Sequence, residues 1–377
     1  MTDLIFLVSC FISFMYLILI LLFAIGVKKL PVFSKYEVVQ QNYFSIIIPF
    51  RNEAQHLNFL LESLKNIEYP KNNFEIIFIN DSSSDSSVKI IEHFRLNNAD
   101  YQISLLHQTV KSQAPKKEAI EKAIKIAKYE WIISSDADCI IPKLWLKILN
   151  EFIAFHNCDM VVAPVIFTSD KSLLQDFQQL DFLSLMGATQ GGFSLEHPFL
   201  CNGANLCYKK TVFFDVNGFV GNKNIASGDD VFLMEKFLQR NIQSVKYLKN
   251  FDAIVQTQPQ NTLKEFINQR IRWASKTVSY KIIAAKIVGL IVLSFNFLLF
   301  ISWLLFYLKW ISFTSIILFW TLKMGLDYFL LLMISTFYQT RISIKKYLIF
   351  SLIYPFYVII IGLLSFRKKY EWKGRKF

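Results

Sequence analysis

Long apolar runs at both ends of the chain frame a central stretch where short β-rich runs alternate with amphipathic ones. Leu4 to Val27 holds no charged residue and is long enough to cross a bilayer as a helix. From Ile282 onward the pattern predicts three more spans, roughly Ala284–Tyr307, Ile311–Tyr338 and Tyr347–Phe366. The middle one carries Lys323 and Asp327 at helical i, i+4 spacing, where they can pair inside the bilayer. Between the apolar ends, Phe44–Pro49, Glu75–Asn80, Ile103–His107, Trp131–Ser135 and Asp159–Phe167 read as strands. Glu53–Asn66, Asp85–Asn97, Lys116–Lys128 and Leu144–His156 have helical periodicity. Such alternation implies an α/β domain whose mostly parallel sheet is covered on both faces and binds ligands beyond the carboxyl ends of its strands. The pattern divides the chain into a membrane anchor at 1–30, a catalytic-type domain at 36–281, membrane helices at 282–366 and a basic tail at 367–377.

Charge refines this layout. The first apolar run has only Asp3 ahead of it and Lys28-Lys29 behind it, which suits an uncleaved anchor followed by a cytoplasmic segment. Arg341, Lys345 and Lys346 before the last span, and Arg367, Lys368 and Lys369 after it, both ask for the cytoplasmic side. One crossing cannot satisfy both, so a segment is interfacial or re-entrant, or the charge rule is broken once.

The 377 residues carry 41 Lys and Arg against 29 Asp and Glu, a net charge of +12, and 53% are hydrophobic, 37 of them Phe. That composition excludes a disordered chain. Five cysteines without CxxC or Cys/His ligand spacing exclude a disulfide scaffold and a zinc module. Much of the positive charge flanks apolar segments and no recognition-helix or RNA-binding pattern accompanies it. A membrane surface and a phosphorylated small substrate account for it better than nucleic acid.

Polar and acidic residues cluster where strands are predicted to end. The first strand runs into Arg51-Asn52-Glu53. The second ends at Asn80-Asp81, followed by a serine-rich turn in which Asp85 suits the cap of the next helix. The fourth runs into Asp136-Ala137-Asp138, two carboxylates that point to one side of an extended segment and offer hard oxygens to a divalent cation, or else a solvated turn. Asp229-Asp230 precede the amphipathic run Val231–Arg240, either as a helix cap or as a general base at the sheet edge. In Asn261–Lys281, Gln269, Arg272 and Trp273 share one helical face. Leu263, Phe266, Ile267, Ile271 and Ala274 form an apolar stripe, with Lys264, Arg270 and Lys276 elsewhere around it. That helix suits the bilayer interface and can present polar residues to a site above it.

Together these blocks make the chain resemble the membrane-bound glycosyltransferases of family 2, of GT-A fold, over about Phe44 to Lys281. The resemblance rests on Ile46-Ile47-Ile48-Pro49 with Arg51-Asn52-Glu53, on Asn80-Asp81, on Asp136-Ala137-Asp138, and on Gly228-Asp229-Asp230 followed by Gln269-x-x-Arg272-Trp273. Gly203-Ala204-Asn205 with Asn217-Gly218-Phe219 is similar to the family's acceptor-side segment. The resemblance implies that Glu53 and Asp81 hold the nucleoside of a nucleotide-sugar, with a UDP-sugar as the expected donor. Asp136 and Asp138 would bind its diphosphate through Mg²⁺ or Mn²⁺, and Lys116 or Lys117 would face a phosphate. Asp230, paired with Asp229, would be the base of an inverting transfer. Arg272 would contact the diphosphate, with Gln269, Trp273 and Asn205 on the acceptor side. The implied acceptor is lipid-linked or a polysaccharide, at the cytosolic face of the inner membrane. Two other classes stay open: a membrane scaffold or transport component that keeps the fold without turnover, and a carrier using Lys323 and Asp327.

Overall fold

The computed structural model describes residues 2–34, 40–108, 114–168, 172–225, 227–366 and 371–376. The basic residues Arg367, Lys368 and Lys369, and with them the charge conflict around the last span, lie outside the described residues. Along the chain, helix α1 (Thr2–Lys29) precedes β1 (Phe44–Phe50), α2 (Leu57–Lys65), β2 (Phe74–Asn80), α3 (Ser87–Asn97) and β3 (Gln102–His107). Next come α4 (Pro115–Ile126), β4 (Trp131–Ser134), α5 (Trp145–Phe155), β5 (Met160–Val162), β6 (Val165–Phe167) and α6 (Leu173–Ser194). They are followed by β7 (Leu206–Lys209), α7 (Lys210–Asp215), α8 (Asp229–Arg240), β8 (Val245–Tyr247) and β9 (Val255–Thr257). Helices α9 (Leu263–Ala274), α10 (Ile283–Tyr307), α11 (Phe313–Tyr338) and α12 (Ile344–Phe366) complete the order used here. The chain forms two compact units, one from residues 31–168 and 201–258, the other from 1–30, 169–200 and 259–377.

The first unit is an α/β domain on a seven-stranded sheet of order β3-β2-β1-β4-β7-β5-β8. All seven residues of β1 and all seven of β2 are buried, as continuous apolar runs require when both sheet faces are covered. β1 pairs in parallel with β2 and with β4, while β7 runs antiparallel to β4 and β5. Because the chain steps outward from β1 to β2 and β3 and then returns to the other side of β1 as β4, the β1/β4 boundary is the topological switch point. There the loops leave in opposite directions and open a crevice at the carboxyl edge.

The segment expected as one strand over Asp159–Phe167 is two. Pro164 has no N–H to donate, the strand breaks before it, and β6 leaves the main sheet to pair in parallel with β9. The Asp136-Ala137-Asp138 segment is likewise not extended: β4 stops at Ser134, and Ala137 and Asp138 form a turn.

The second unit is helical. Helices α1, α10, α11 and α12 are each long and apolar enough to cross a membrane, over 3–29, 283–307, 313–338 and 344–366. The expected spans match them to within a few residues. Lys323 and Asp327 pair on α11 as their spacing predicted, and Tyr16 of α1 donates to the same carboxylate. Helix α6 was not anticipated as a member of this unit. It packs against α1 where two glycines meet. A Cβ on Gly26 would lie 2.8 Å from the Gly191 Cα, and one on Gly191 would lie 2.8 Å from the Phe23 Cα. Two helix backbones approach that closely only through residues without side chains.

Candidate active site

Three strand-end loops and the start of α8 build the candidate site. At the ends of β1 and β2, Asn52 (φ 52°) and Ser82 (φ 55°) adopt the left-handed conformation. Asn tolerates this region, whereas for Ser it costs energy that surrounding bonds must hold in place. They do so here. Arg51 Nη1 donates to the carbonyls of Asp81 and Ser82 at 2.7 and 2.8 Å. The serine-rich turn is stitched to the first loop: Asn52 N donates to Ser83 Oγ, Glu53 N to Ser87 Oγ and Ala54 N to Asp85 Oδ2. Asp85, expected only as a cap, thus also pins the neighbouring loop. Burial opposes its charge, but hydrogen bonds from the Ser87 hydroxyl and from the backbone N–H groups of Ala54 and Ser87 outweigh it and hold its carboxyl below the ordinary range. Glu53 and Asp81 are both buried behind these turns, at 7% and 3% exposure. Glu53 Oε2 lies 3.1 Å from His56 Nδ1.

Lysine 116 joins the remaining parts. Its ammonium lies 2.8 Å from Asp136 Oδ1 in the loop after β4 and 3.3 Å from Asp229 Oδ2 at the first residue of α8. Burial works against that charge, yet the carboxylates of Asp136, Asp229 and Asp230 prevail and hold the ammonium above the usual lysine value. Asp230 faces differently. Its Oδ2 accepts from Gly203 N at 3.2 Å and its Oδ1 from Val231 N at 2.8 Å. Gly203 is in turn held by Ser134 Oγ, which donates to its carbonyl at 3.0 Å, so the loop before β7 is tied to both β4 and α8. Gly228, the residue before α8, has φ +79°, which a side chain would strain, and this turn sets where Asp229 and Asp230 begin the helix.

The lysine that meets the carboxylates is therefore Lys116. Lys117, expected to bind the donor, is 1% exposed, donates to the Asn222 carbonyl at 2.8 Å and lies over the Phe232 ring at 4.8 Å. Its place was legible in the pattern, because Lys117, Ile120 and Ile124 stand at i, i+3 and i+7 on the buried face of α4. Asn205, expected on the acceptor side, is also interior. Its amide donates to the Pro164 and Ala253 carbonyls at 2.8 and 2.9 Å, and its Oδ1 accepts from Trp145 Nε1 at 2.9 Å. With those bonds made at 1% exposure, Asn205 ties the start of α5 to the backbone at Pro164 and Ala253.

Gln269, Arg272 and Trp273 all lie on α9 in the helical unit. A capping box between Thr262 and Glu265 starts that helix, and it ends at Ala274 rather than running on to Lys281. Arg270, expected away from its apolar face, is 4% exposed and forms an ion pair with Asp181 of α6 at 2.7 Å.

No group of three or more His, Cys, Asp or Glu side chains among the described residues is arranged to hold a metal unaided. Asp136 and Asp138, two hard oxygen donors on one loop, still fit the way Mg²⁺ is commonly held, by one or two carboxylates with substrate phosphates and water. Next to Asp138, Cys139 is buried, and burial followed by the charges of Asp138 and Asp136 pushes its thiol well up, so it stays protonated and is no nucleophile.

A parallel-sheet switch point rimmed by carboxylates, with the start of α8 and a loop glycine beside it, is the arrangement expected of a nucleotide-sugar-binding domain of the GT-A type. Family models agree: Glycosyl transferase family 2 matches residues 45–214, and Glycosyl transferase family group 2 matches residues 131–364, more than half of the chain. The chain belongs to the family 2 glycosyltransferases.

Among relatives, the poly-beta-1,6-N-acetyl-D-glucosamine synthase of Staphylococcus epidermidis is 26% identical over 305 residues, 77% of this chain and 68% of that protein. TarS, the poly(ribitol-phosphate) beta-N-acetylglucosaminyltransferase of Staphylococcus aureus, is 33% identical over 119 residues, 32% of this chain. The match to TarS spans only 20% of TarS's own length. Among solved structures, a mannosyltransferase of Pyrobaculum calidifontis in complex with GDP-Man and Mn²⁺ aligns with a TM-score of 0.59. That alignment covers 97% of this chain and 98% of the other at 13% identity, which shows the shared fold.

Proposed function

We propose that this protein transfers a sugar from a nucleotide-sugar, a UDP-sugar, to a lipid-linked or polysaccharide acceptor at the cytosolic face of a membrane. The meeting of Asp136, Asp229 and Lys116 carries this reading, because it draws a strand-end loop, a helix N-terminus and α4 to one point. The names of the relatives support an N-acetylglucosamine donor and a polymeric acceptor.

In this reading Glu53 and Asp81 hold the nucleoside, and Asp136 and Asp138 hold a divalent cation against the donor diphosphate. When bound, that cation supplies neutralisation of the charge that builds on the leaving group. Lys116, beside the Asp136 carboxylate, would bring a second positive charge to the same group. The family motif assigns Arg272 to the diphosphate and Gln269 and Trp273 to the acceptor. Asp229 has an ammonium on it, whereas Asp230 is held by two neutral backbone N–H groups. With Asp229 engaged by the lysine, we assign Asp230 as the group that takes a proton from an acceptor hydroxyl, and displacement from that side inverts the anomeric centre.

Membranes bearing the protein, given labelled UDP- and GDP-sugars with and without Mn²⁺, test the reading. Asp230→Asn is expected to keep nucleotide binding and to lose about 10²–10⁴-fold in kcat. Wild-type turnover in that variant refutes the assignment of the base.

A further inference from the structure

Helix α6 carries polar side chains that its surroundings bury. Gln178 is fully buried, and its amide pairs with both backbone groups of one residue in the chain entering α9: Oε1 accepts from Gln260 N at 2.8 Å and Nε2 donates to Gln260 O at 2.9 Å. One helical turn on, Asp181 is 5% exposed and takes the Arg270 Nε at 2.7 Å, with the hydroxyls of Tyr354 and Tyr357 of α12 at 3.1 and 3.4 Å. Arg270 passes this anchorage to its neighbours on α9. Its Nη1 donates to Gln269 Oε1 at 3.0 Å, and its guanidinium lies over the rings of Trp273 and Phe266 at 4.2 and 4.8 Å. Phe266 in turn stacks on Tyr357, with ring centroids 5.6 Å apart and planes 13° apart.

Residues 260 and 270 are thus tied to one face of α6, which fixes both the position and the direction of the α9 axis. The stacked rings fix its rotation. A buried Arg–Asp pair is a poor source of stability, since apolar residues of similar volume often do as well or better. What such a pair supplies is a single geometry, because any other arrangement leaves a buried charge uncompensated.

We propose that Gln178 and Asp181 are positioning residues, holding α9 so that Gln269, Arg272 and Trp273 are presented in one fixed orientation. This rests on the transfer reading above, and its test separates the two. In the full-length protein in detergent, Asp181→Asn is expected to speed hydrogen exchange of the amides of 263–274 while leaving β1 and β4 unchanged. It should lower kcat by about 10²-fold, the scale of a 1 Å misplacement, with the KM for the nucleotide-sugar within about twofold of wild type. Asp181→Glu should recover most of that loss. Unchanged exchange in 263–274 overturns the proposal, and so does faster exchange with wild-type kcat.

If Asp181→Asn does not give folded protein, the paired variant D181L/R270L removes both charges together and is read the same way. A folded double variant with depressed kcat supports the positioning role, and wild-type kcat overturns it. Should the wild type transfer no sugar from any donor while Asp181→Asn still loosens α9, the transfer reading falls and the positioning role falls with it.

Discussion

Replacing Lys116 with Met removes the ammonium that joins the carboxylates of Asp136 and Asp229. Lys116 Nζ lies 2.8 Å from Asp136 Oδ1 and 3.3 Å from Asp229 Oδ2. At an effective dielectric near 20 these two contacts are gross attractions of about 6 and about 5 kcal/mol. Much of this does not survive as stability: the Asp136 side chain is 36% exposed, and solvent and salt screen it. A net loss of about 1–3 kcal/mol remains, since the carboxylates then repel one another.

The pH dependence has a defined sign. The folded pKa of Lys116 is raised, so its contribution to stability is fully present below the unfolded value of 10.5 and fades only as pH rises beyond it. Between pH 6 and 9 the wild-type advantage over Lys116→Met should therefore be flat. In the proposed reading Lys116 also offers charge to the diphosphate, so the variant's affinity for UDP should fall by about tenfold, equivalent to about 1.4 kcal/mol. Thermal melts at several pH values and UDP titration of the purified protein measure both effects. Wild-type melting together with wild-type UDP affinity would show that the lysine–carboxylate cluster organises nothing.

Three further outcomes follow from the geometry. Asn205→Ala should cost about 3 kcal/mol, because it strands the Trp145 indole N–H and two buried carbonyls; melts should show this while the acceptor KM of the surviving folded protein stays unchanged. Gly191→Leu should prevent α6 from seating on α1, since even a Cβ there would lie 2.8 Å from the Phe23 Cα; loss of the monodisperse gel-filtration peak is the expected reading. Chelation with EDTA should stop transfer, and added Mn²⁺ or Mg²⁺ should restore it, with Asp138→Ala needing more metal for half-maximal rate.

Local pattern was enough for much of this protein. The buried strands β1, β2 and β4, the four membrane-length helices and the order of the acidic blocks each depend on residues adjacent in the chain, and periodicity or composition reports such features directly. The i, i+4 pairing of Lys323 with Asp327 is of the same kind. Lys117 stands between the two levels: its spacing with Ile120 and Ile124 marks the buried face, but only the docking of α4 turns Lys116 onto Asp136 and Asp229.

Tertiary structure alone decided the rest. Nothing near Asn205 in sequence announces that Trp145, Pro164 and Ala253 will take its hydrogen bonds, and nothing near Arg270 announces Asp181, 89 residues away. Helix α6 is too polar to register as a span, and its place in the helical unit shows only in contacts such as Gly191 with Phe23 and Gly26, and Asp181 with Arg270. Sequence reports which residues are apolar, charged or flexible within a few positions. Which charges meet, and which are buried, depends on contacts closed over tens to hundreds of residues, where the partner's identity lies outside any local window.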